Sequence, residues 1–126
     1  KKFPNLKIQL MGHSLGSEVI IHTLANLKNK TGIVEGIYFF GASVPADSVT
    51  PKKFGKILQR TVRQKITNYY SPYDTVLKYA FCSDLIEKPL GYQGVSGKAV
   101  PKYVQKKVIP RNHRFVSYAA VLESFP

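Results

Sequence analysis

The chain has 126 residues, 44% of them hydrophobic and 12% aromatic, the size and composition of a single globular domain spanning 1–126. Its longest apolar run, Ile37 to Ala42, is strand-sized and far short of the ~20 residues a membrane span requires. The formal charge of +12 gathers in "PKKFGKILQRTVRQK" and "GKAVPKYVQKKVIPRNHR". Such clusters attract anionic partners, but zinc-ligand spacing, RNA-binding aromatic motifs and phosphate-binding glycine loops are missing, which argues against nucleic acid and points to no metal or cofactor.

The chain opens on "KKFPNLK" rather than on a methionine, so the expectation is that the native N-terminus lies upstream. Leu6 to Met11 then reads as a short strand whose mostly apolar makeup predicts a buried position. Leu15 to about Lys28 reads as a helix, with Val19, Ile20, Leu24 and Leu27 on one face and lysines at its C-terminal end. Gly32 breaks that pattern. A second strand follows from Gly36 to Phe40, ended by Gly41. The stretch from Asp47 to Arg63 has turn chemistry at its start and helical spacing at Phe54, Ile57, Leu58 and Val62.

"QKITNYYS" predicts a third strand, closed by the turn signal "SPYD". A short helix is expected from Thr75 to Phe81, with Cys82 beyond it. As the single cysteine, Cys82 cannot form an intrachain disulfide and is expected to be a buried, inert thiol. "LGYQGVSGKAVP" reads as loop, "KYVQKKVI" as a fourth strand, and Phe115 to Phe125 as a final helix. Strands alternating with helices imply an α/β fold with a doubly wound, mostly parallel sheet.

One motif carries chemistry. Between the first strand and the first helix stands Gly12-His13-Ser14-Leu15-Gly16, the G-x-S-x-G pattern in its strand-turn-helix context. The serine needs a strained turn to project its hydroxyl above the sheet edge. The glycines let strand and helix approach closely. The helix starts directly afterwards, so the Leu15 N–H faces the space beside the hydroxyl, where it could stabilise an oxyanion.

A serine hydroxyl is a weak nucleophile without a base. His13 neighbours Ser14 but should point away from a substrate, and His22 lies mid-helix. His113, in a loop after a strand and before a helix, is the candidate base. The base in turn needs an acid to fix its tautomer. Asp74 follows its strand in a tight turn at the sheet edge where open α/β sheets carry their sites. Asp47 also follows a strand, at a greater distance, and stands as the alternative. Asp74 would double as the N-cap of the helix at Thr75.

The order Ser14, Asp74, His113 is the one found in α/β-hydrolases. "GHSLGS" resembles the lipase-type nucleophile elbow, and "YFFGASVP" resembles the strand and loop that follow it. "NYYSPYDTVLKY" and "NHRFVSY" resemble a family of intracellular hydrolase-like proteins whose animal members carry transmembrane and coiled-coil segments. The resemblance implies a three-layer α/β-hydrolase sandwich, of which this chain would be the C-terminal half. It implies Ser14 as nucleophile, His113 as base, Asp74 as triad acid and Leu15 as an oxyanion amide, with the second oxyanion donor upstream. The activity it implies is cleavage of carboxylic esters, small or lipid, through an acyl-enzyme. The alternative is a silent scaffold that binds a lipid or protein. The expected setting is cytoplasmic and membrane-peripheral: Lys52, Lys53, Lys102, Lys106 and Lys107, if they form one face beside the Ser14 pocket, would meet an anionic membrane there, and the alternative scatters them as a solvated surface.

Overall fold

The computed structural model describes residues 6–27, 30–80, 88–122 and 124. In chain order the elements are β1 (Gln9–His13), α1 (Gly16–Ala25), β2 (Val34–Phe40), α2 (Gly55–Thr61), β3 (Val62–Tyr70), α3 (Thr75–Ala80), α4 (Leu90–Gln93), β4 (Tyr103–Lys107) and α5 (Phe115–Ala120). The four strands pair in parallel in the order β1-β2-β3-β4. This is an α/β fold, with a helix in every crossover. Cys82 and the expected ends of the third and last helices lie outside the described residues.

Alternation along β2 sorts its side chains between two layers. Ile37 and Phe39 pack with Ile20, Ile21 and Leu24 of α1, Leu58 of α2 and Leu90 of α4. Phe40 turns to the other face, where it meets Tyr69 of β3 and Tyr118 of α5. Covering on both faces explains why β2 reads as a nearly continuous apolar run.

β1 departs from expectation. Among the described residues it pairs with β2 alone and forms an edge of the sheet, and Met11 is 44% exposed. Its apolar composition predicted burial, but burial follows from the number of neighbours, and β1 has one. The buried stripe of α1 is also rotated from the expected face. Ser17, Ile20, Ile21 and Leu24 are buried, while Val19 and Leu27 are exposed. The glycine-rich stretch expected to be loop contains one helical turn, α4. Tertiary hydrogen bonds hold it: the Leu90 N–H donates to the Val44 carbonyl, and Asn68 Nδ2 donates to the Leu90 carbonyl.

The register aligns the strand ends. His13 lies beside Phe40, Phe40 beside Tyr69, and Tyr70 beside Lys107. The segments that follow β1, β2, β3 and β4 therefore emerge along one edge, as parallel strands require.

Candidate active site

Ser14 occupies the tight corner between β1 and α1 with φ of 56°, the one non-glycine residue with positive φ among those described. That left-handed conformation is uncommon for a residue with a side chain and persists only where its surroundings over-determine it. Here they do. The Ser14 N–H donates to the Phe40 carbonyl at 3.0 Å, and its carbonyl accepts from Ser43 N–H, Ser17 N–H and Ser17 Oγ.

The two elbow glycines are unequal. A Cβ on Gly12 would lie 2.8 Å from Ile20 Cδ1 and 2.9 Å from Ser17 N, so β1 and α1 approach too closely for any side chain there. A Cβ on Gly16 would meet nothing within 4 Å. The close-approach argument therefore holds for the first glycine and not for the second.

His113 reaches the elbow from the loop between β4 and α5. Asn112 Oδ1 ties that loop by accepting from the Arg114 N–H and Ser117 Oγ. His113 Nε2 lies 2.8 Å from Ser14 Oγ, and Nδ1 lies 2.5 Å from Asp74 Oδ2. The three side chains singled out by the sequence thus meet across 99 and 39 residues of chain.

Asp74 has no exposed side-chain surface. Its Oδ1 accepts from the Leu77 N–H at 3.1 Å, so one oxygen caps α3 while the other faces the ring. Burial by itself would raise the carboxyl pKa. The hydrogen bonds from His113, Tyr118 and the Leu77 N–H, with the charge of His113, outweigh it and hold the pKa below the ordinary 3.8. Asp74 remains a carboxylate, an acceptor for the His113 ring and the Tyr118 hydroxyl.

Two partners of this arrangement escaped the sequence reading. Tyr118, fully buried in α5, donates its hydroxyl to Asp74 Oδ2 at 2.5 Å. Burial, followed by the bond to Asp74 and its charge, pushes the phenol pKa far up, so Tyr118 stays protonated and donates. His13 is engaged with the base rather than idle: its Nε2 bonds the backbone carbonyl of His113, and the two rings lie 4.9 Å apart. Spacing alone offered one faint clue, a tyrosine five residues after the histidine on the helix that follows it. Gly41, with φ of 56°, lets both come close, because a Cβ there would sit 3.0 Å from the Tyr118 hydroxyl and 3.1 Å from His113 Cε1.

The remaining candidates fall elsewhere. Asp47 faces Lys53 at 3.9 Å, in a concavity of about 780 Å³ rimmed by Lys52, Lys53 and Lys98. His22 stays on the surface of α1, against Phe54 and 3.8 Å from Glu18. Leu15 is the N-cap residue of α1, and its N–H has no acceptor among the described residues. Of the two arrangements open to the lysines, the scattered one is closer to what the structure describes. Lys106 and Lys107 line a separate concavity of about 400 Å³, and Lys102 Nζ is spent on the Gln59 and Val62 carbonyls at 2.8 and 2.6 Å.

The family model described as "Protein of unknown function (DUF726)" matches residues 4–98. The chain belongs to this family. The match takes in Ser14 and Asp74, while His113 and Tyr118 lie beyond its end. No curated protein and no solved structure matches the chain. Among the described residues no helix is long and apolar enough to cross a membrane.

Proposed function

We propose that this chain is a serine hydrolase of carboxylic esters, built on the second half of an α/β-hydrolase fold. The observation that carries the reading is the continuous chain from Ser14 Oγ to His113 Nε2 at 2.8 Å and from His113 Nδ1 to Asp74 Oδ2 at 2.5 Å. Each member has its work. His113 takes the Ser14 proton at Nε2 as Oγ attacks the acyl carbon, and Asp74 stabilises the imidazolium that forms. The Leu15 N–H, free at the start of α1, donates to the carbonyl oxygen as it becomes an oxyanion. Collapse of the tetrahedral intermediate returns the proton from His113 to the departing alcohol and leaves an acyl group on Ser14. Water, deprotonated by the same imidazole, then releases the acid.

A second reading has one observation in its favour. The concavities of about 780 and 400 Å³ are lined by no member of the triad, as a hydrolase-like scaffold that binds a lipid or protein without turnover would allow. Hydrolysis of a short p-nitrophenyl ester separates the two. Ser14→Ala, His113→Ala and Asp74→Asn should each lower kcat by about 10³- to 10⁶-fold, and the triple variant should lose no more than the worst single one. Turnover indifferent to Ser14, or losses that simply multiply, would contradict a shared mechanism.

A further inference from the structure

The ordinary expectation for an edge that carries a polar triad is a polar rim. Here each triad member has a large, exposed hydrophobic within three residues of it in the chain. Leu15 follows Ser14 and is 65% exposed; Phe115 and Val116 follow His113; Tyr73 precedes Asp74. On α3 the buried residue is Leu77, which leaves Val76 and Tyr79 on the outer side, one turn apart. Because the side chains of Ser14, His113 and Asp74 converge, the residues beside them in the chain lie around the triad.

Cations are interleaved with this rim. Lys107 Nζ stands 5.7 Å from the centre of the Tyr73 ring, and Lys78 Nζ stands 5.5 Å from that of Tyr79. Arg111 and Arg114 flank His113 and are exposed. Among the described residues, Glu18 is turned to His22, and Asp74 is buried. Apolar tips among tyrosine rings and positive charges match the layering of an anionic bilayer surface. Acyl chains take the tips, the boundary takes the tyrosines, and phosphates take the cations.

We propose that this rim docks on an anionic lipid bilayer and that the ester delivered to Ser14 is a membrane lipid. The choice of substrate rests on Ser14 being the nucleophile; the docking does not. This surface takes in Lys107, Arg111 and Arg114 of the second basic cluster but leaves out Lys52 and Lys53 of the first, which belong to a concavity lined by no member of the triad or its rim.

Co-sedimentation of the full chain carrying Ser14→Ala measures docking without turnover. The vesicles are phosphatidylcholine alone or mixed with phosphatidylserine, at low and high salt. Binding is expected to the mixed vesicles only and to weaken as salt shortens the screening length. Adding Val116→Glu with Tyr79→Glu, both exposed, should cost at least about tenfold in affinity, two charges being worth about fivefold each at such a surface. Adding Lys52→Glu with Lys53→Glu instead, which removes twice the charge, should cost less. Equal or greater loss from the second pair would reduce the effect to net charge and overturn the proposal. So would unchanged binding by the first pair. Indifference of the unaltered rim to both vesicles would also overturn it and assign the rim to a protein partner. A water-soluble ester reads the other question: the unaltered protein should cleave it with no vesicle present. If the unaltered protein does not cleave it, the nucleophile reading fails while the binding result stands.

Discussion

Asp74 receives three hydrogen bonds, and two of them arrive on the same oxygen, from His113 and from Tyr118. Tyr118 is fully buried and its hydroxyl bonds Asp74, so its part is to position the acid. Tyr118→Phe removes one bond to a buried charge, worth about 1–3 kcal/mol of stability. The sign with pH follows from the lowered Asp74 pKa. A depressed carboxylate pKa adds stability that is present above the ordinary 3.8 and is lost as pH falls through the folded value. Without the Tyr118 donor the folded value moves back up. The gap in stability between the two proteins should therefore be widest above about pH 4 and close below it, and denaturation across pH 2 to 7 measures this. A gap independent of pH would mean that Tyr118 stabilises by packing alone. In ester hydrolysis the same variant should lose roughly tenfold in kcat at unchanged KM, the worth of about 1.4 kcal/mol in the transition state. Ser14, Asp74 and His113 were legible in the sequence because each follows a strand end, and parallel strands bring such ends to one edge. Tyr118 was not, because its bond to Asp74 spans 44 residues and no local pattern encodes it.

The elbow is the element that joins local sequence to chemistry, and its two glycines give a contrast that can be measured. Gly12→Ala forces a methyl against Ile20 Cδ1 and the Ser17 amide, so it should destabilise the fold by about 1–3 kcal/mol. Gly16→Ala adds a methyl in open space at the first position of α1 and should be neutral or stabilise by about 0.4–1 kcal/mol. Urea denaturation of both variants decides it; equal losses would mean that the pattern constrains the elbow in a way sterics do not capture. The order and type of the elements were mostly readable from their periodicity. α4 was hidden, since its single turn among glycines is held by Val44 and Asn68 rather than by its own propensity. The burial of β1 was misread for a related reason. Composition reports what a strand could bury, and only the sheet order reports how many neighbours it has.

At the scale of the whole molecule, a charge of +12 says that an anionic partner is favoured but not where it binds. Lys102 shows why. Its ammonium is committed to the carbonyls of Gln59 and Val62, at the opposite end of β3 from Asp74. Position in the fold, rather than the density of lysines in a stretch of sequence, decides which cations are available. The central claim is narrower: one edge of a parallel sheet activates one serine. A fluorophosphonate probe tests it most directly, because it reacts with an activated hydroxyl and ignores one that is merely exposed. Mass spectrometry of the labelled protein should place a single adduct on Ser14, and labelling should fall sharply in His113→Ala. An adduct on Ser43 or Ser71, or no adduct on the folded protein, would contradict the account.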